Sequence, residues 1–477
     1  MLRTLTQRVY CNTLVPKIYN FKTMKVKPVL WTVFISLALL AESQCANILG
    51  VFPLKTRSHY NIYQPVMMEL ARRGHNVTVI NPFPINTSQQ NFTDIDTSEC
   101  FYLQPNIVMD DVQIILSNPF RLTHLVISDG VEPIRRMLQC EKLKQFLQTN
   151  VSYDLVITEV FNGDAVLGFV DRFKAHHIAF CPGSLYPWAA DRMGNPSNPS
   201  YLPYIFTDKE FDRFHPTFYQ RLYNTVCYLF AKMLYLNYAY EMEAVARDVF
   251  GTDISRLDEI AKNTSLILSY SHFTFNPPLP LVPGVVEIAG IQISTAKALP
   301  EDIQKFIDGS EHGVIYFSMG SLLKMETMSE SKRVAFLTAF SKLPQRVVWK
   351  YDGDLQGKTD QIFTSKWLPQ RDILAHPKVK LFIAHGGALG SNEAIHEGVP
   401  VLGIPMFADQ MLNLQFLQSH GAAEILDYSD INNETVLDKI TQVLQPKYAI
   451  NMKKLSRRYK DRPMSAMDTA IYWIEYM

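Results

Sequence analysis

A chain of 477 residues, 47% of them apolar, can bury large cores, and its length predicts two or three domains. Its 46 basic residues balance its 46 acidic ones, which removes the electrostatic footprint of a nucleic-acid binder. No charge run, low-complexity tract or solenoid period interrupts it.

At the N-terminus, Lys25 and Lys27 precede an apolar run from Val29 to Ala41 that is too short to span a bilayer. Ser43 and Cys45 then place small residues ahead of a cleavage point before Ala46. Residues 1–45 read as an N-terminal extension and secretory signal peptide, with Met24 an alternative start. Cys11 and Cys45 fall in this leader. The remaining four, Cys100, Cys140, Cys181 and Cys227, are too scattered for a disulfide framework and lack zinc spacing; Cys100 with Cys140 is the candidate pair. Sequons at Asn76, Asn86, Asn91, Asn150, Asn263 and Asn433 fit a glycoprotein of the endoplasmic reticulum lumen, although Asn76 falls in a predicted buried strand. No later segment reaches the roughly 18 apolar residues of a transmembrane helix, so no anchor is expected once the leader is removed.

Beyond the leader, Asn47 to Phe52 predicts a strand, followed by a helix with Tyr63, Val66, Met67 and Leu70 on one face. Gly74 fits a left-handed helix end, and His75 to Ile80 predicts the next strand. Strands at Leu155–Thr158 and His177–Cys181 continue the alternation, which implies a parallel sheet covered on both faces. From Phe211 to Phe250 the chain reads as a long helix crowded with aromatics, among them Phe218, Tyr219, Tyr223, Tyr228, Phe230, Tyr235, Tyr238 and Tyr240. Interior packing explains such a stripe, and so does an apolar wall for a ligand or a membrane surface. "FNPPLPLVPG", with four prolines, suits an extended linker. A second alternation follows: "GVIYFSMGS", a helix near Glu330 to Ser341, "RVVWKYDG", "LFIA", a helix to Glu397, and "VLGIP". The chain thus predicts an N-terminal Rossmann-like domain over 46–275, a linker over 276–290 and a C-terminal Rossmann-like domain over 291–477. Their sheets would face an interdomain cleft.

The chemistry concentrates in "FIAHGGALGSNEAIHEGVPVLGIPMFADQ". His385, Gly386 and Gly387 form a turn, a helix runs from about Ala388 to Glu397, Gly398 fits its end and Pro400 blocks continuation. A helix start of this kind offers backbone N–H groups and about half a positive charge to an anion. From Leu381 to Leu412 there is no lysine or arginine. Neither a Walker sequence nor GxGxxG is present, and no aspartates cluster to hold a divalent metal. Such a site would hold a diphosphate through peptide dipoles alone, with one more hydrogen bond from His385. Glu393, about 9 Å along the helix from Gly387, suits ribose hydroxyls. Trp367 offers a face for a base, Gln370 an amide for its edge, and Asp409 and Gln410 polar groups for sugar hydroxyls.

The stretch "WLPQRDILAHPKVKLFIAHGGALGSNEAIHEGVPVLGIPMFADQMLN" resembles the signature of the UDP-glycosyltransferases, the UDP-glucuronosyltransferase family of animals. The likeness extends through "GNPSNPSYLP", "PLVPGVVEIAGI", "GVIYFSMGS" and "VVWKYDG", with an insect-like flavour. It implies the α/β GT-B fold and inverting, metal-independent transfer of glucose or glucuronic acid from UDP-glucose or UDP-glucuronate. The acceptor would be the hydroxyl of a small lipophilic compound, as in detoxification. No cofactor beyond the co-substrate is implied. The resemblance gives Trp367 and Gln370 to uracil, Glu393 to the ribose, His385, Gly386 and Gly387 with Gly320 and Ser321 to the diphosphate, and Asp409 and Gln410 to the sugar. It matches the base to His59 of "TRSHY", in the loop after the first strand, and the partner carboxylate to Glu159 of "YDLVITE", with Asp164 the alternative. Three features depart from the family pattern. Glu159 replaces an aspartate; Gly390 and Ala384 replace a serine and a threonine. The chain also stops at Met477, where relatives would continue through a segment returning to the N-terminal domain, a membrane anchor and a basic tail. An inactive truncated form binding UDP-sugar or partner subunits is the alternative reading. Peripheral membrane contact and homo- or hetero-oligomerisation stay open.

Overall fold

A computed structural model describes residues 45–85, 87–101, 108–116, 118–207, 210–276 and 279–477. The leader through residue 44, and Asn86, lie outside the described residues. The first sheet contains β1 (Asn47–Val51), β2 (Asn76–Asn81), β3 (Phe92–Asp96), β4 (Leu155–Glu159), β5 (His176–Cys181), β6 (Leu266–Ser269) and β7 (Val285–Glu287). The second contains β8 (Val314–Ser318), β9 (Arg346–Lys350), β10 (Ile362–Ser365), β11 (Val379–Ala384), β12 (Val401–Gly403) and β13 (Ala423–Ile425). All pairings are parallel, in the orders β3-β2-β1-β4-β5-β6-β7 and β10-β9-β8-β11-β12-β13. β4 and β8 are buried along their whole length, as strands covered on both faces must be, which is why they read as unbroken apolar runs.

Helices follow the predicted faces. Tyr63, Val66, Met67 and Leu70 of the Arg57–Arg72 helix are fully buried against the first sheet. The helices Glu330–Ser341 and Ala388–Glu397 begin and end where the sequence places them. Gly398 closes the latter with φ of 75°, a left-handed conformation that glycine adopts at no cost. Cys100 and Cys140 form a disulfide, with Cα atoms 5.8 Å apart. Asn76, expected to be buried, is the exposed first residue of β2, although Val77 and Thr78 of its sequon are buried.

Two segments sit differently from expectation. The predicted linker, 276–290, contains β7, which extends the first sheet at its edge beside β6. Beyond it, the last helix, Ala466–Tyr476, does not pack on the second sheet. Ala466, Ala470, Ile471 and Ile474 bury against the Arg57–Arg72 helix in the core beneath the first sheet, and Arg73 pairs with Glu475 at 3.3 Å. The returning segment expected to be missing is therefore present. Its apolar spacing shows that one face is buried, but not against which sheet.

The long helix, Phe218–Phe250, is capped by Thr217 and Gln220, each side chain bonding the other's backbone N–H. It turns Asn224, Cys227, Tyr228 and Ala231 inward, while Phe218, Tyr219 and Tyr240 are exposed. None of its aromatics lines the interdomain cleft, so the apolar wall for a cleft-bound ligand is built from other residues.

Candidate active site

Each sheet reverses its strand order at a central pair, β1 with β4 in one and β8 with β11 in the other. Ligands of open α/β sheets bind beyond the carboxyl ends of strands at such reversals. Here the two reversal points face one another across a cleft of about 1110 Å³. His59 (after β1) and Phe161 and Asn162 (after β4) line one side. Met319 to Leu323 (after β8) and His385 with Gly387 to Ser391 (after β11) line the other.

On the first side, His59 lies in the opening turn of the Arg57–Arg72 helix rather than in a loop. Its Nδ1 is 2.6 Å from Oε1 of Glu159, the last residue of β4. The Glu159 side chain is 2% exposed and the His59 ring 19%, so the carboxylate is sealed while the imidazole keeps an edge to the cleft. A carboxylate only accepts, so Nδ1 carries the hydrogen and Nε2 of the neutral ring is free to take a proton. Phe161 packs edge-on to the imidazole at 5.1 Å. The phenol of Tyr63 is held well above its ordinary pKa by burial and then by the neighbouring Glu159. Asp164 is not a partner of His59. It bonds Arg192 and Tyr235 in a buried network elsewhere in the domain, because the 3-10 turn Asp164–Leu167 carries it off the strand end.

On the second side, Gly320 and Gly386 take φ of 81° and 85°, and the His385 ring is wedged between Gly320 and Gly387. A Cβ at Gly320 would meet the ring at 2.7 Å and one at Gly387 at 2.4 Å, so both glycines are required for the imidazole to fit. Burial, and then the charge of Lys350, push His385 down to about 4, which keeps it neutral at physiological pH. Ser321 is exposed at the same turn. Glu393 is buried and accepts from Gln370 Nε2 at 2.8 Å; burial raises its carboxyl to about 7. Trp367 is 65% exposed, an unusual state for a large ring that borders a cleft. Gln410 is buried, and its Oε1 accepts from the N–H groups of Met406 and Phe407, which fixes the loop before it. Asp409 follows Ala408, a non-glycine residue with φ of 58°, and burial raises its carboxyl above the ordinary range. Once protonated, the His59 ring across the cleft would pull the Asp409 carboxyl back down.

A profile described as UDP-glucoronosyl and UDP-glucosyl transferase matches residues 47–477. The chain belongs to the UDP-glycosyltransferase family. It is 47% identical to UDP-glycosyltransferase UGT5 of Dactylopius coccus, over 90% of this chain and 83% of that relative. It is 38% identical to UDP-glucosyltransferase 2 of the same organism (92% and 85% covered) and 30% identical to UDP-glucuronosyltransferase 2B1 of Rattus norvegicus (91% and 84%). Among solved structures it matches a UDP-glucose:anthocyanidin 3-O-glucosyltransferase in complex with UDP, with a TM-score of 0.60 at 14% identity over 91% of this chain and 99% of that one. At that identity the likeness shows the fold, which is GT-B.

Several residues of this UDP-glycosyltransferase's cleft escape the sequence reading. Lys350, the last residue of β9, donates from Nζ to the Gly320 carbonyl and lies 5.5 Å from the Trp367 ring centre. The turn at His385 is therefore not without a cation; the cation comes from a neighbouring strand, and its position at a strand end in "VVWKYDG" is the signal that could have found it. Ser391 Oγ is buried with no hydrogen-bond partner among the described residues, one position beyond Gly390, where the family's serine is lacking. Asn413 joins the two loops, donating to Gly386 O at 3.0 Å and Asp409 Oδ2 at 2.7 Å. The apolar wall comes from Leu122, Val126, Phe161, Tyr186 and Phe206.

Proposed function

We propose that this enzyme transfers a hexosyl group, glucose or glucuronic acid, from a UDP-sugar to the hydroxyl of a small lipophilic acceptor, with inversion and without a metal. The observation that carries this reading is the His59–Glu159 contact of 2.6 Å, placed across one cleft from the Gly320 and His385 turns. His59 Nε2 takes the proton of the acceptor hydroxyl as its oxygen attacks the anomeric carbon from the side opposite the departing UDP. The new carbon–oxygen bond forms as the bond to the diphosphate breaks, which inverts the centre. Glu159 holds the imidazole in the required tautomer and stabilises the imidazolium. Negative charge gathering on the leaving UDP meets the start of the Ala388–Glu397 helix, the neutral His385 and Lys350. Trp367 stacks on uracil, Gln370 meets its edge, Glu393 holds the ribose, and Asp409 and Gln410 hold the sugar. The wall of Leu122, Val126, Phe161, Tyr186 and Phe206 selects apolar acceptors. A role in detoxification within the lumen of the endoplasmic reticulum fits the leader and sequons. No helix among the described residues is long and apolar enough to cross a membrane.

The test is glycosyl transfer from UDP-glucose and from UDP-glucuronate to a panel of phenols, alongside UDP binding by calorimetry. His59→Ala should lower turnover by about 10³-fold with UDP affinity retained. UDP binding with no turnover by the unmutated chain would select the inactive reading instead.

A further inference from the structure

The buried side chains of Arg192 and Arg213 are satisfied in opposite ways. Burial opposes the charge of Arg192, but the Asp164 carboxylate and the Tyr235 hydroxyl outweigh it and raise its pKa. Arg213, 9% exposed, has no such partner, and burial alone pushes it down to about 9. Its neighbour Asp212 is turned away, accepting from the N–H groups of Phe214 and His215 at 2.9 and 3.0 Å. A guanidinium has five N–H donors. Here one reaches the Leu412 carbonyl at 2.7 Å, and the Nε–H has no partner among the described residues. The Phe416 ring, 5.5 Å from Cζ, offsets only part of the lost hydration. A cation taken out of water in this way is strongly disfavoured unless an anion joins it.

The guanidinium borders a side chamber of about 70 Å³, enough for a few waters or one small anion. Asn276, also in its wall, accepts at Oδ1 from the His272 N–H at 3.0 Å, which leaves the amide NH₂ as its open group. The chamber shares Gly183, Ile205, Ala388 and Asp409 with the cleft, so it opens beside the residues given to the sugar. Asp409 is the one acidic side chain in this wall among the described residues, and Asn413 donates to it at 2.7 Å. We propose that the chamber binds a small anion, a carboxylate or a halide, against the Arg213 guanidinium. Two sources present that chemistry. One is a free anion such as chloride. The other is the C6 carboxylate of a glucuronyl donor whose hydroxyls meet Asp409, a source that rests on the transferase reading above. Either would tie the 211–213 segment to the Gln410–Ser419 helix, whose Gln415 already donates to the Phe211 carbonyl at 3.1 Å.

The test has two arms. In the first, sodium chloride or bromide is titrated into the unmutated chain against sodium HEPES of matched ionic strength, whose sulfonate is too bulky for the chamber. The melting temperature should rise and saturate with halide, bromide should appear beside Arg213 by anomalous diffraction, and Arg213→Gln should abolish both. In the second, transfer from UDP-glucuronate is compared with transfer from UDP-glucose. With the donor carboxylate as occupant, Arg213→Gln should lower kcat/KM for UDP-glucuronate about 100-fold more than for UDP-glucose, and chloride should compete with UDP-glucuronate alone. A halide response with equal effects on both donors assigns the chamber to a free anion. The bromide position and the chloride competition are read on the unmutated chain, so they stand even where the variant does not fold. Turnover from neither donor would sink the transferase reading, while the halide arm still decides the chamber. No halide response, no bromide at Arg213 and no change in donor preference in Arg213→Gln would together overturn the proposal.

Discussion

Replacing Glu393 with glutamine separates folding from binding in one residue. The Glu393 carboxyl titrates near 7 in the folded chain because burial disfavours its charge, against an ordinary value of 4.5. Between those two pH values the folded state holds more protons than the unfolded chain, so raising pH removes stability across that window and leaves a constant deficit above it. A difference of about 2.5 units corresponds to about 3 kcal/mol. Glu393→Gln keeps an acceptor for Gln370 Nε2 and removes the charge. It should therefore raise the thermal midpoint at pH 8 by roughly 6 °C or more for a domain of this size, and leave it almost unchanged at pH 4.5. The assay is a thermal melt of both proteins from pH 4.5 to 8.5, with UDP affinity measured at pH 8. The stabilised variant should bind UDP more weakly, because an amide oxygen is a poorer acceptor for ribose hydroxyls than a carboxylate. If the melting difference were the same at pH 4.5 and pH 8, burial would not be the cause and the reasoning would be refuted.

Four further outcomes are expected. Trp367→Ala should weaken UDP binding about tenfold, the worth of one base–aromatic stack, with the melting temperature unchanged because the ring is exposed; intact affinity by calorimetry would take uracil off this ring. Lys350→Met should raise the pKa of His385 from about 4, since the ammonium charge is one of the two causes that depress it; an NMR titration in which that histidine does not move would remove Lys350 from the turn. Asp164→Asn should destabilise the fold by about 3 kcal/mol by leaving the buried Arg192 without its charged partner, yet keep the rate per folded molecule. Glu159→Gln should instead lower the rate about tenfold or more; the reverse pattern in a turnover assay would exchange the two carboxylates.

The sequence by itself determined the alternation of strand and helix and the turn at His385. Apolar runs and glycine positions depend only on neighbours along the chain, so the approximate bounds read for the helices Glu330–Ser341 and Ala388–Glu397 agree with those observed. Motif order was enough to mark Trp367, Gln370 and Glu393 as a group, and the structure brings them into one cleft. Contacts between elements distant in sequence were settled only by the tertiary structure. Spacing could not choose between Glu159 and Asp164; the end of β4 puts one carboxylate on His59, and the following turn gives the other to Arg192. The sequence separation of 30 between Lys350 and Gly320 hides a cation that two adjacent parallel strands, β8 and β9, set beside the turn. The Ala466–Tyr476 helix shows the same limit, since its apolar face is local but the sheet that buries it is chosen by the path of the whole chain. Periodicity reports that a side chain leaves water, and only the packing of distant segments decides what it meets.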